Sequence, residues 1–200
     1  MDIGFRDTVP EDFGDLSRII DDEWEFGLYS EENGRRMAEF YLLSCIDGSD
    51  RAVTLLADGK AKGVLILKEM GGPAIDMSEE LSLLQGELSS DPGFRQLLED
   101  MDSLYGCYTG FANDAKRDEW AELRLLIVAD ECKGHGFGRM MMDEAERIAE
   151  SSRKTGFFFY TDTDCNFGFY DHIGSSRVAE REIMCMGTPL TVYGYSLVFR

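Results

Sequence analysis

Three glycines at alternate positions, Gly134, Gly136 and Gly138, stand between Lys133 and Arg139 in the run Lys133-Gly134-His135-Gly136-Phe137-Gly138-Arg139. Glycine lets backbone N–H groups approach an anion closely and accepts the positive φ that a tight cradle needs. An apolar strand-like stretch, Leu123 to Val128, precedes the run, and helical spacing begins near Phe137. The first turn of that helix offers unpaired N–H donors at the positive end of its dipole, so the chemistry that fits is the holding of phosphate. Lys133 and Arg139 add positive charge beside it.

Spacing separates the kinds of phosphate loop. A nucleotide P-loop needs G-x-x-x-x-G-K-[ST], which the chain lacks. A dinucleotide fingerprint needs G-x-G-x-x-G, whereas these glycines read G-x-G-x-G, and a hairpin upstream does not suit a doubly wound parallel sheet.

Composition limits what such a loop belongs to. The 200 residues are 44% hydrophobic, enough for one sizeable core, so residues 1–200 are expected to form a single domain. Acidic residues outnumber basic ones 39 to 20, a formal charge of -19, which argues against a general binder of nucleic acid or anionic membrane. An acidic surface is compatible with a cationic acceptor and equally with simple solubility. The five cysteines, Cys45, Cys107, Cys132, Cys165 and Cys185, are scattered, odd in number and without a C-x-x-C pair, so neither a disulfide framework nor a metal site is expected. The first thirty residues hold no apolar run, and no later segment approaches membrane-spanning length. A soluble cytoplasmic protein is the expectation.

The elements that must position the loop follow from periodicity. After a short strand at Ile3 to Arg6, Thr8 and Glu11 suggest a capping box with Pro10 in the first turn, and Phe13, Leu16, Ile20 and Trp24 recur at helical spacing. Ser30 is a candidate cap for a second helix with Met37, Phe40, Tyr41 and Cys45 on one face, ending near Asp47-Gly48. Arg51 to Ala57 and Lys60 to Lys68 read as strands joined by Asp58-Gly59, a pair suited to a type I′ turn.

From Met70 to Asp118 the pattern is helical. Leu81, Leu84 and Leu88 mark one helix, and Phe94, Leu97, Leu98, Met101 and Leu104 a second one after Asp91-Pro92. A polar loop containing glycine is expected to follow through Arg117. Then come a strand at Trp120 to Val128, a helix from Phe137 to about Ser152, a strand at Phe157 to Thr161, a short turn of helix at Phe167 to His172, and closing strands near Arg177 to Met186 and Leu190 to Phe199.

Lys133-Gly134-His135-Gly136-Phe137-Gly138 resembles the R/Q-x-x-G-x-G/A motif of the GNAT superfamily of N-acetyltransferases, with lysine where arginine or glutamine is usual. The resemblance extends over nearly the whole chain. Ile3-Gly4-Phe5-Arg6 with Pro10-Glu11-Asp12 is similar to the family's opening, and Phe169-Tyr170-Asp171-His172-Ile173-Gly174 to its late F-Y-x-x-x-G segment. The departure is the insertion at about 70–118. The fold implied is α/β of the α+β kind: a GNAT-like mixed, mostly antiparallel sheet flanked by helices, with a helical insertion between strands 3 and 4.

The resemblance implies acetyl-CoA as co-substrate and no metal. Lys133, Gly134, His135, Gly136, Phe137, Gly138 and Arg139 would cradle its phosphates, mainly through the backbone, with His135 at the phosphate edge. The backbone of Leu126 and Val128 would hold the pantetheine amides, with Val128 N–H towards the thioester carbonyl, and Asn166 is a further contact. Tyr170 matches the tyrosine that protonates the departing thiolate. Glu122, eleven residues before Lys133, has the spacing of a glutamate general base in histone-type members; an ion pair with Arg124 or simple exposure are its other readings, and an acidic residue of the insertion or amino-terminal helices is the alternative base. Strand alternation predicts Glu122, Arg124 and Leu126 on one face. Cys132 has no base nearby in the sequence, which argues against covalent catalysis.

The expected activity is therefore transfer of an acetyl group to a primary amine of a small molecule or protein in a ternary complex, the alternative being a non-catalytic acyl-CoA-binding module. Polyamine, aminoglycoside, amino acid, peptide and protein lysine all remain open as acceptor. The insertion is either a lid over the acceptor site or a structural extension, and a homodimer through the insertion or terminal strands is compatible with family habit.

Overall fold

The computed structural model describes residues 2–115 and 117–199, with the side chains of 113–115 outside that description. Strand β1 (Ile3–Asp7) leads through a short 3-10 turn, Pro10–Asp12, into α1 (Phe13–Trp24); a second turn, Phe26–Leu28, precedes α2 (Gly34–Ile46). The hairpin β2 (Arg51–Ala57) and β3 (Lys60–Lys68) is followed by α3 (Ser78–Leu88) and α4 (Pro92–Ala115). Then come β4 (Trp120–Val128), α5 (Phe137–Ser151), β5 (Gly156–Asp162), α6 (Phe167–His172), β6 (Ser176–Cys185) and β7 (Thr188–Val198).

The strands form one sheet in the order β1-β2-β3-β4-β5-β7-β6. Every pairing is antiparallel except β4 with β5, which are parallel and so need a crossover, supplied by α5. The β2–β3 turn forms as expected, with positive φ at both Asp58 (49°) and Gly59 (76°). The helical insertion between β3 and β4 is also present.

Three local expectations need correction. The carboxylate that reaches back at the start of the first helix is Asp12, not Glu11: it accepts the Val9 N–H (3.1 Å), the Thr54 hydroxyl (2.9 Å) and two Arg6 guanidinium N–H groups (2.6 and 2.7 Å). Burial pushes the Asp12 carboxyl up, but these donors outweigh it and hold it below the usual carboxylate value. Ser30 caps a turn rather than α2, its Oγ accepting the Asn33 N–H at 3.2 Å while the helix itself starts at Gly34. The polar loop expected after Leu104 is helix as far as Ala115, because Cys107 and Phe111 are buried against Leu190 and Val192 of β7. That packing overrides the poor helix propensity of Gly106 and Gly110; Lys116 of the expected loop lies outside the described residues.

Strand β4 carries the feature that shapes the site. Its register with β3 runs Lys68↔Glu122, Leu67↔Leu123, then Ile66↔Leu125, Leu65↔Leu126 and Gly63↔Val128, leaving Arg124 without an opposite residue. This is a β-bulge, which bends a strand and flips the alternation beyond it. Lys68 and Leu65 lie on opposite faces of β3, so Glu122 and Leu126 lie on opposite faces of the sheet, contrary to simple alternation. On the face of Glu122, Cys45 of α2 and Tyr105 of α4 line the same cavity as the carboxylate. The face of Leu126 and Val128 is covered by α5: a Cβ built on Gly63 would lie 3.1 Å from Met141 Sδ.

Candidate functional site

Pairing between β4 and β5 stops at Leu123↔Phe159, although β4 continues to Val128 and β5 to Asp162. Past the bulge the two parallel strands part, and the β4 edge from Arg124 to Val128 that faces β5 has no strand partner. A cavity of about 960 Å³ fills the gap, at the upper end of what ligand sites occupy. Leu126, Val128, Lys133, Gly134, Gly136, Gly138, Arg139, Asn166, Tyr170 and Glu122 all line it. Of the expected site residues, His135 and Phe137 do not. Phe137 is a core side chain, 5% exposed, and His135 is exposed with its Nδ1 2.9 Å from the Lys133 carbonyl oxygen.

The glycine loop has the form of an anion cradle. Gly134 and Gly136 both take positive φ, 73° and 84°, and Gly136 is the N-cap of α5 with no side chain capping that end. Among the described residues, no hydrogen bond uses the N–H of Gly134 or Gly136, and the first N–H groups of α5 have no preceding turn to supply acceptors. Its cations already have partners. Lys133 pairs with Glu23 of α1 and with Asp130 (2.7 Å), and Arg139 with Asp143 (2.8 Å). Burial pulls the Lys133 ammonium down, but the two carboxylates outweigh it and hold it above the usual lysine value.

Helix α6 has Asn166 at its N-cap and lies against the loop: a Cβ on Gly138 would sit 3.5 Å from the Phe169 ring. Tyr170 packs on Phe159 of β5 (ring centroids 4.6 Å apart) and beside Tyr195 of β7 (5.9 Å). Desolvation pushes its phenol well above the ordinary tyrosine value, so it stays a proton donor throughout the neutral range. The helix is anchored from behind. The Tyr195 hydroxyl donates to Asp171 Oδ1 (2.7 Å) and accepts from Arg177 (3.0 Å), whose guanidinium lies 4.0 Å over the Tyr193 ring.

Glu122 is half-buried on the other face of the cleft, across from Lys68 in register; burial raises the phenols of Tyr105 and Tyr160, and the charge of Glu122 adds to it. Arg124 does not point along the strand at it; its Nη1 donates to the Asp47 carbonyl (3.1 Å) beyond the end of α2. Sheet and bulge thus put an acid and a phenol on opposite walls of one cleft.

Sequence spacing missed the rest of the lining. Tyr29, Tyr41, Tyr105, Tyr108 and Tyr160 make one side strongly aromatic, with Tyr108 stacked on Tyr160 at 4.4 Å and 9°. Asp162 ends β5 in the same cavity, its carboxyl raised by burial. Cys165 is pushed up to about 12 by burial and by Asp162, which keeps it a thiol. All five cysteines are free, and among the described residues no group of three His, Cys, Asp or Glu side chains could hold a metal ion. No described helix is long and apolar enough to cross a membrane.

With this geometry in view, residues 15–174 match the family model described as acetyltransferase (GNAT) family. No curated protein matches the chain significantly. Among solved structures, the ribosomal-protein-S18-alanine N-acetyltransferase of Escherichia coli is 10% identical with a TM-score of 0.57, covering 99% of this chain and 94% of that one. Ard1 from Thermoplasma volcanium is 10% identical (TM-score 0.57, 100% and 99% covered), and an N-acetyltransferase from Staphylococcus aureus Mu50 is 9% identical (TM-score 0.56, 100% of both). At such identities the likeness carries the fold: a mixed, mostly antiparallel seven-stranded sheet flanked by helices.

Proposed function

Because the chain belongs to the acetyltransferase (GNAT) family, we propose that it moves the acetyl group of acetyl-coenzyme A to a primary amine by direct attack within one ternary complex. The observation that carries this reading is the parting of β4 from β5 after Leu123, with a glycine cradle of free N–H donors at the end of the opening. The unpaired β4 edge can accept an extended chain of amides as an added strand would. The backbone of Leu126 and Val128 is therefore assigned to the pantetheine arm. The cradle from Lys133 to Arg139 is assigned to the phosphates, and Asn166, at the cap of α6, to the cofactor's flank.

Bound there, acetyl-coenzyme A supplies a thioester whose carbonyl carbon accepts the amine nitrogen and whose sulfur leaves. The chain's part is to bring the two together, which supplies much of the rate, and to manage two protons. Glu122, directly or through water, accepts the proton that the amine must lose; Tyr170 donates one to the departing sulfur. No residue forms a bond to the acetyl group in this scheme, and Cys165 and Cys132, both raised by burial, are poor nucleophiles.

Titration calorimetry with acetyl-coenzyme A, alongside thiol release across a panel of amines, tests the proposal. Binding with amine-dependent release of free thiol is expected. Binding without release from any amine would leave a non-catalytic acyl-coenzyme A module, and no binding would end the reading altogether.

A further inference from the structure

Helix α4, the long part of the insertion, supplies one wall of the cavity through Leu97, Asp100, Met101, Leu104, Tyr105 and Tyr108. One of these is a carboxylate in an apolar row. Asp100 is 5% exposed, yet everything that holds it is neutral. The Tyr29 hydroxyl (2.9 Å) and the Met186 N–H (3.1 Å) donate to Oδ2, and the Gln96 amide (3.1 Å) donates to Oδ1. Among the described residues, no Lys, Arg or His lies within ion-pair distance of it.

A carboxylate presents about four lone-pair sites, so three donors leave Oδ1 one short. Burying such a charge without a cation is costly. The basic residues on the cavity wall do not supply it: Arg124 donates to the Asp47 carbonyl, Lys133 pairs with Glu23 and Asp130, Arg139 pairs with Asp143, and Lys68 and His172, which also line the cavity, make no ion pair with Asp100. Asp162 and Asp164 line the same cavity and also have no ion-pair partner among the described residues. The missing positive charge is one that a ligand can bring.

We infer that Asp100 is a specificity-determining residue for the acceptor and that the acceptor is an alkyl amine carrying a second, protonated amino group. This rests on the acetyltransferase reading. The amine that attacks must be neutral, whereas the group that Asp100 holds is an ammonium, so the two are different ends of one molecule. Leu97, Met101 and Leu104 suit the methylenes between them, and the tyrosine rings nearby favour a cation over a neutral end.

The test uses a graded series of α,ω-diaminoalkanes against alkylamines of equal length. Thiol release is read for kcat/KM, and binding is read by calorimetry with coenzyme A present, for the wild type, Asp100→Asn and Asp100→Glu. Asparagine can keep its oxygen towards Tyr29 and Met186 while the Gln96 amide turns over, so Asp100→Asn removes charge with little else. The wild type is expected to prefer diamines, with Asp100→Asn losing about tenfold or more on them, little on monoamines, and Asp100→Glu restoring the preference. Equal losses on both series, or a wild type that binds monoamines as well as diamines, overturn the proposal. Thiol release from monoamines with no diamine preference sinks Asp100's role and keeps the acetyltransferase; Asp100-dependent diamine binding without thiol release does the reverse.

Discussion

At the residue scale, Tyr170 and Glu122 line the cleft from different elements, and under the proposed function they handle different protons, so their loss should separate from binding. Tyr170→Phe and Glu122→Gln are each expected to lower kcat by about a hundredfold, the low end of general acid–base contributions. Affinity for acetyl-coenzyme A by calorimetry should be unchanged. Since desolvation raises the Tyr170 phenol, kcat should have no alkaline limb from this group below pH about 10; a limb there that Tyr170→Phe abolishes would contradict the raised phenol, and an unchanged kcat in Tyr170→Phe would remove its assigned role. The place of Tyr170 on the cavity wall could be anticipated from the sequence because a short local motif carries it. The faces of β4 were not, because a bulge is a property of the register between two strands and Arg124 carries no mark of it. Asp100 left a faint signal, a charge at the position where the Leu97, Met101, Leu104 stripe calls for an apolar residue.

Asp12 is the structural counterpart of these residues, joining α1 to β1 and β2 through Arg6, Val9 and Thr54. Its folded pKa is depressed, so its contribution is complete above the unfolded value of about 4 and is lost as pH falls through the folded value. Asp12→Asn should cost about 2 kcal/mol at neutral pH. In urea titrations the gap between variant and wild type should close as the pH drops below about 4.

At the scale of elements, α1 and the glycine loop are tied together by Glu23 and Lys133. A phosphate in the cradle has to share or displace that carboxylate. Glu23→Gln removes one of the lysine's two carboxylate partners and leaves Asp130, and because a partly exposed pair is worth at most about 1 kcal/mol, acetyl-coenzyme A should bind up to about fivefold tighter. Weaker binding in the variant would mean that Glu23 positions Lys133 rather than competing for it. On the other side of the cleft mouth, Gly63 lets β3 lie against β4: an added Cβ would be 2.5 Å from the Ile127 carbonyl oxygen. Gly63→Ala is therefore expected to destabilise by about 2 kcal/mol or more in denaturant melts and to weaken cofactor binding as the β4 edge shifts. The hairpin and the run of elements could be read from local turn chemistry and periodicity. The true length of α4 could not, since Cys107 and Phe111 are held by β7, far away in the chain.

At the scale of the whole molecule, a charge of -19 surrounds a site that, on the proposed function, must admit one highly anionic substrate and one cationic one. The long-range field repels the first and attracts the second, and salt screens both effects over a Debye length of about 8–10 Å. The cradle's backbone donors and its two cations act only at close range, so they cannot offset repulsion at a distance. Raising ionic strength should therefore increase the association rate of acetyl-coenzyme A and decrease that of a diamine acceptor, moving the two kcat/KM values in opposite directions. Stopped-flow binding of each substrate over a salt series reads this directly. A net-charge effect alone favours the doubly charged diamine only while the field is unscreened, whereas the pairing at Asp100 would leave a residual preference for diamines over monoamines at high salt, where the global field is gone. Loss of that preference together with the field would assign acceptor choice to the surface as a whole and not to the wall that α4 builds.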